Sequence, residues 1–401
     1  MTVRVSKPAF NLREKLTELD KPSGVKGNEL LRSDTSQDAR DLISAGRKNK
    51  IINGAMLIDQ RHSGSSNSNS NGYHTDRFRT QAGGMDQLNQ SYQQVSDGPA
   101  GFPKSLKITT NTVESDLASS GEYLALYQKI EGQNLQDFAY GTANPKSVTV
   151  SFYVKSSITG TFGYTVYRNE TSDRVINKTY TIDNPNTWER KSITLEGDDT
   201  QAIGNDAADN WWNVWHLGSS PGYMSSPTSV WATYTGANWA GFHEQNGLIT
   251  TQNATWYITG VQLEVGKNAT EFEHRSYAEE LKLCERYFEK HWQNNNSASP
   301  NGGGGDGYNT VANGTHNGSN GYYVWRWRTQ KRTRPTISHG GKFRVFGGSG
   351  HTNQTVNEFY SPGLDAGRLR VNHSGSAGEA FVLEFDGANS SDGYIQASAE
   401  L

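Results

Sequence analysis

Apolar and polar residues alternate at every second position through much of this chain. In residues 148–154, Val148, Val150, Phe152 and Val154 alternate with Thr149, Ser151 and Tyr153. That period buries one face of a strand and leaves the other to solvent. Phe162, Tyr164 and Val166 repeat it, and Ile193 and Leu195 follow a turn signal at Asp183, Asn184, Pro185 and Asn186. Trp256 to Ile258 and Val261 to Val265 flank Gly260, a position that suits a β-bulge. Strands at this spacing, with no helix between them, predict an antiparallel two-sheet sandwich, a jelly roll, over residues 98–275. Further on, Tyr323, Trp325 and Trp327 alternate with Val324, Arg326 and Arg328. With closing strands at 381–385 and 394–397, they predict a β domain over residues 293–401.

Helical periodicity is confined to two places. Near the start, Leu12, Leu16 and Leu19 recur at i, i+4, i+7, and a second short helix follows a cap at Thr35. Neither is long enough to be stable alone in water, so each needs a partner surface. Residues 1–60 therefore read as a region of short helices that packs on itself or docks on another protein. The clearest helix opens at Ser276 with a capping box closed by Glu279. Tyr277, Leu281, Cys284 and Phe288 then form a narrow stripe at steps of four, three and four. This suits packing against copies of itself, and residues 276–292 read as a linking helix. Residues 63–72 contain only Ser, Asn and Gly, and 61–97 reads as a flexible connection. The predicted class is thus mainly β, with amino-terminal helices, a central sandwich, one linking helix and a carboxy-terminal β domain.

Composition sharpens this. Among 401 residues, hydrophobic types make up 33% and charged types 20%, with 43 glycines. Yet there are 19 Tyr, 14 Phe and 10 Trp, too many aromatics for a disordered chain. Short strands with many turns fit better than a large helical enzyme core. The formal charge of −3 gives no reason to expect nucleic acid or an acidic membrane as a partner. The single cysteine excludes an intrachain disulfide. No stretch approaches the ~20 apolar residues of a spanning helix, so no membrane insertion is expected. Residues 1–10 lack the apolar segment of a secretion signal.

Catalytic signals are weak. Gly218, Ser219, Ser220, Pro221 and Gly222 match a serine-hydrolase string, but Pro221 has no N–H to offer an oxyanion. Asp198, Asp199, Asp206 and Asp209 lie in a glycine-bearing segment that reads as a loop rather than a glycosidase pair. No metal-ligand spacing or phosphate-binding loop stands out, so no metal, cofactor or catalytic residue is expected. Arg326, Arg328, Lys331, Arg332 and Arg334 interleave with aromatics; a basic strand face explains them better than nucleic acid, and acidic surface glycans are a third reading. The strongest cluster is aromatic. Trp211, Trp212, Trp215, Trp231, Tyr234 and Trp239 fall close together among Asn, Ser, Gly and Thr. Flat rings stack on the C–H faces of sugars, so these are glycan-binding candidates, with part of the set expected in the core. Trp325 and Arg326 are second-choice candidates.

Two stretches carry a resemblance. The run containing Phe10, Leu12, Leu16 and Leu19, with Ala45 to Asn49 and Ile51 to Met56, resembles the amino-terminal region of tail-fibre-like virion proteins of marine phages, notably cyanophages. Ile258 to Gly266, then Thr270 to Tyr277 and Leu283 to Phe288, is similar to a junction in many phage tail and fibre proteins. There it closes a carbohydrate-binding-module-like sandwich and leads into a carboxy-terminal β domain. Arg334 to Ile337 and the last five residues are similar to landmarks of that domain. The Ser/Asn-rich stretch after Gln60 departs from the pattern. The resemblance implies a homotrimer in the virion, joined to a tail or adaptor protein through Phe10, Leu12, Leu16 and Leu19, and binding a host surface glycan. Two other functions compete: an adaptor binding only virion proteins, and a polysaccharide depolymerase, whose long β-helix repeat is not seen.

Overall fold

Pairing of the alternating segments builds two antiparallel sheets. The first has seven strands in the order β1 (Tyr73–Thr75), β2 (Phe78–Gly83), β5 (Tyr123–Ile130), β10 (Trp211–Ser219), β7 (Gly160–Arg168), β8 (Arg174–Ile182) and β11 (Ala232–Thr233). The second has five: β3 (Asn89–Val95), β4 (Ser105–Thr112), β12 (Thr255–Val265), β6 (Val148–Ser156) and β9 (Glu189–Leu195). The structure, a computed structural model, describes residues 47–117, 121–224, 226–240, 247–292, 310–346, 351–360, 362–385 and 393–401. The helices expected near the start, and with them Phe10, Leu12, Leu16 and Leu19, lie outside the described residues.

The sheets pack as a β-sandwich of jelly-roll type. Phe152 of β6 meets Trp215 of β10 edge-to-face at 5.7 Å and Tyr180 of β8 at 5.1 Å, so rings from both sheets interlock. The two segments flanking Gly260 form one strand. Its register shifts between Thr259 and Gln262, and Gly260 has φ 63°, which places the expected bulge there.

The sandwich begins earlier than its pattern suggested. Ile51, Met56 and Ile58 are fully buried, and Ile51 and Met56 belong to its core. Residues 61–97, expected as a flexible connection, contain β1, β2 and β3. Their short polar strands hide the pattern, because Gln90, Thr80 and His74 take inward or buried positions normally held by aliphatics.

Helix α1 (Tyr277–Glu285) opens on the predicted cap. The Ser276 hydroxyl accepts from the Glu279 N–H at 3.3 Å, and the Glu279 carboxylate accepts from the Ser276 N–H at 3.2 Å. The helix is shorter than expected. After it comes strand β13 (Phe288–Trp292), paired with β22 (Tyr394–Ser398). This corrects the self-packing stripe. Tyr277 is exposed and Leu281 half-buried, whereas Cys284 and Phe288 are buried within this chain and unavailable to other copies.

The carboxy-terminal β domain has a three-stranded sheet, β13-β22-β16 (Thr336–Gly340). Its seven-stranded sheet runs β18 (His351–Gln354), β17 (Phe343–Phe346), β21 (Ala380–Phe385), β14 (Thr310–His316), β15 (Gly321–Arg326), β20 (Ala366–Val371), β19 (Val356–Tyr360). Ile395 and Ala397 of β22 share one core with Trp325, Phe343 and Leu383.

Ion pairs join this domain to the sandwich. Glu131, just after β5, accepts from Arg286 Nε and Nη2 at 2.7 Å each and from the Tyr287 hydroxyl at 2.5 Å. Arg332 donates to the carbonyls of Ala207, Ala399 and Glu400. Lys331 is buried against Glu289 at 2.7 Å, and Arg328 meets Glu285 at 3.1 Å. Three of the five cations expected on a basic strand are thus spent on this junction and on the carboxy-terminal domain beside it.

Candidate aromatic binding face

Strand alternation sorts the tryptophans. Along β10, Trp211, Asn213 and Trp215 point into the core, while Trp212, Val214 and His216 point to the outer face. Trp211 and Trp215 are fully buried. Inside the core, the Asn213 side-chain oxygen accepts from the Tyr164 hydroxyl at 2.8 Å and from Trp211 Nε1 at 3.2 Å, which orders both rings. Neither tryptophan can stack on a glycan, and the candidate set is corrected accordingly. Trp325 is likewise buried, edge-to-face with Trp327 at 4.6 Å. Trp231 is half-buried but stands apart from the outer face. It packs on Trp211 and Tyr140, with its Nε1 donating to the Glu196 carbonyl at 2.8 Å.

The remaining members converge with residues remote in sequence. Across the outer face of the seven-stranded sheet, Lys129, Trp212 and Tyr167 are direct cross-strand neighbours on β5, β10 and β7. Tyr127, Val214 and Thr165 form the next row. Two 3-10 turns, Pro221–Met224 and Gly236–Asn238, lie over this face, and with residues beside them bring in Tyr223, Tyr234 and Trp239. The result is a layer of seven rings. Tyr127, Tyr167 and Trp239 are its buried floor; Tyr123, Trp212, Tyr223 and Tyr234 remain half-exposed. Tyr167 lies 4.9 Å from Trp212 and 5.1 Å from Tyr234. Trp239 stacks at 6.2 Å on Tyr127, fixed in part by Asn177, which donates to the Asn238 carbonyl at 3.1 Å. A buried floor holding half-exposed rings is pre-ordered, so binding costs little side-chain entropy.

Polar groups edge the layer. Lys129 Nζ sits 3.6 Å from the Trp212 ring centroid and 2.7 Å from Asp209 Oδ2. Asn169 donates to Asp209 Oδ1 at 2.9 Å, and the Trp212 indole N–H donates to the Asp209 carbonyl at 2.8 Å. The Tyr167 hydroxyl donates to Asp173 at 2.5 Å. Burial lowers the Lys129 ammonium from its ordinary value, against the pull of Asp209. Burial, then neighbouring tyrosines, raises the phenols of Tyr123 and Tyr234. They stay protonated at neutral pH and keep one O–H donor each. Rings beside carboxylate, ammonium, amide and phenol groups can stack a pyranose and hydrogen-bond its hydroxyls.

Tyr123, Tyr127, Tyr167 and Lys129 were not among the sequence candidates. Alternation in β5 puts Tyr123, Ala125, Tyr127 and Lys129 on one face and was readable. Their meeting with Trp212 depends on strand pairing and was not.

The acidic cluster disperses. Asp198 is buried and pairs with Arg168 and Arg174. Burial alone would raise its carboxyl, but hydrogen bonds from Arg174 and the Thr200 N–H, with the Arg168 charge, hold it below the ordinary range. Asp209 serves the aromatic face, and Asp206 accepts from the Ala208 N–H. A separate groove of about 510 Å³ opens between the edges of β8 and β9 and the segment at Thr228. It is lined by hydroxyls, Asn177, Lys178, Ile193 and Pro227 and carries no aromatic ring.

No protein-family model and no curated protein sequence matches the chain. Among solved structures, it is similar to the enzymatically active domain of tailspike protein 4 of bacteriophage CBA120, at 11% identity and TM-score 0.30, over 54% of this chain and 21% of that one. The chain thus spans about a fifth of that protein's length. It is also similar to the family 11 carbohydrate-binding module of a cellulosomal cellulase of Clostridium thermocellum, at 9% identity and TM-score 0.26, over 52% and 99%. The amino-terminal cellulose-binding domain of a β-1,4-glucanase of Cellulomonas fimi is similar at 10% identity and TM-score 0.24, over 49% and 99%.

Proposed function

We propose that this chain is a tail-fibre protein of a phage virion that attaches to its host by binding surface glycans through the outer aromatic face. One observation carries the glycan reading. The solvent side of the seven-stranded sheet, where polar residues belong, bears a continuous layer of rings, four of them half-exposed beside Lys129, Asp209 and Asn169. The tail-fibre role rests on the sequence resemblance at residues 10–19, 45–49, 51–56, 258–266, 270–277 and 283–288. Homotrimeric assembly and joining to a tail or adaptor protein through residues 1–46 follow from the same resemblance. The chain acts by binding, not by catalysis.

The test is retention of the full chain on immobilised polysaccharide from the host surface. Wild type should be retained, and W212A and Y234A should be weakened about fivefold or more each, the loss of one stacked ring. Failure of the wild-type protein to adsorb would favour the adaptor role. Release of reducing ends from the polysaccharide would favour a depolymerase.

A further inference from the structure

A second sheet surface, remote in sequence from the first, carries its own recognition chemistry. On the exposed face of the seven-stranded carboxy-terminal sheet, Tyr322, Val324 and Arg326 of β15 lie beside Arg370, Arg368 and Ala366 of β20. Glu358 and Tyr360 of β19 stand opposite Arg370 and Arg368. The inward partners, Tyr323, Trp325, Leu369 and Val371, are buried, so the outward set is fixed by alternation.

Charge on this face is unbalanced. Arg370 pairs with Glu358 at 3.1 Å, and Arg344 pairs with Glu384 at 2.7 Å. Arg326 and Arg368 are exposed and have no carboxylate partner among the described residues. Arg368 is nonetheless held in place: its guanidinium lies 5.0 Å from the Tyr322 ring centroid and 5.1 Å from that of Tyr360. Tyr360 is itself tied down, because Arg370 Nη1 donates to its hydroxyl at 3.1 Å. Its hydrogen bond to Glu358 raises the phenol from its ordinary value. Val324 is 47% exposed in the same patch, an apolar surface that water does not favour.

We infer that this face binds an acidic saccharide, its carboxylate gripped by Arg368 and Arg326 and its ring laid against Tyr322, Tyr360 and Val324. A planar guanidinium presents two parallel N–H groups that match the two oxygens of a carboxylate. A cation already positioned against two adjoining rings loses little freedom on binding. Apolar surface beside it suits the C–H face of a pyranose. A neutral sugar would leave both arginines uncompensated, so the charge selects a uronate.

Fluorescent oligogalacturonate, a sulfated galactan oligomer and a neutral galactan oligomer are titrated into the full chain. Oligogalacturonate should bind most tightly and the neutral oligomer least. R368A and Y360A should each lower oligogalacturonate affinity about tenfold, with thermal unfolding nearly unchanged because both side chains are outside the core. R368K should lose most of this binding, since an ammonium lacks the fork. The fall in oligogalacturonate affinity caused by R368A should be the same in a W212A background, which separates this site from the aromatic face of the sandwich. Tighter binding of the sulfated oligomer, or wild-type affinity in R368K, would overturn the carboxylate grip. Equal binding of all three oligomers, no binding, or an R368A variant that binds normally would overturn the site itself.

Discussion

The guanidinium of Arg77 lies 3.5 Å from the centroid of the Tyr287 ring, and the pair is buried where the sandwich meets the carboxy-terminal domain. Arg77 also pairs with Glu400 and donates to the Lys129 carbonyl at 2.6 Å. Lys129 in turn lies over Trp212. One buried arginine therefore ties the end of the chain to the strand that carries the aromatic face. A charge placed so deep is tolerated because the Glu400 carboxylate, the Lys129 carbonyl and the Tyr287 ring surround it.

The same junction yields a stability prediction. Glu131 has a fully buried carboxylate held mainly by Arg286. Replacing Arg286 by Met strands that charge and should cost about 3–5 kcal/mol. The double variant E131Q/R286M should recover much of the loss, because no unpaired charge remains. Denaturant midpoints of the three proteins measure this.

Core and surface tryptophans should behave oppositely although they are neighbours in sequence. Trp211→Ala and Trp215→Ala should each destabilise by about 3–5 kcal/mol. Trp212→Ala should cost far less stability and instead weaken glycan retention. Thermal unfolding and retention on the same variants separate the two classes.

Gly260 is the only residue type that fits its bulge. Its φ of 63° strains an L side chain, and a Cβ there would lie 2.9 Å from the rings of Phe102 and Tyr153. Gly260→Ala should destabilise by about 1–3 kcal/mol. A change within experimental error in urea unfolding would contradict this.

His74 and Asp76 give opposite pH dependences. Burial, then His62 and Arg61, lowers the His74 imidazole well below its ordinary 6.5. The unfolded chain takes up that proton first, so His74 adds stability above pH ~6.5 that is lost as pH falls. Burial raises the Asp76 carboxyl from 3.8 to about 6, against Arg61 and Gln60. Its contribution is present below pH ~3.8 and lost as pH rises through 6. H74N should therefore flatten the loss of stability between pH 7 and 5, and D76N should steepen it. Urea midpoints at the two pH values test both signs.

Assembly is tested separately. If the tail-fibre reading is correct, light scattering should give three 44.2 kDa chains per particle. Deleting residues 1–46 should leave a soluble trimer that no longer joins the virion.

Period-two patterning alone determined much of this protein. It marked β6, β7, β9, β12 and β15, placed the bulge at Gly260, and with the capping box placed α1. These are local properties, set by the pleat and by hydrogen bonds between residues three apart. Strands β1 to β3 escaped it because His74, Thr80 and Gln90 occupy buried positions and are satisfied by partners such as Thr110 and Asn67. The stripe through Cys284 and Phe288 misled because a helix and a following strand can share apolar spacing while pointing into one core. Which rings meet was decided only by tertiary structure. Tyr127, Tyr167 and Trp212 are separated by 40 and 45 residues, and nothing local specifies that β5, β10 and β7 lie side by side. Tryptophan count signalled recognition, but sheet order chose which tryptophans face water, because strand pairing is settled by the burial of whole faces rather than by any one residue.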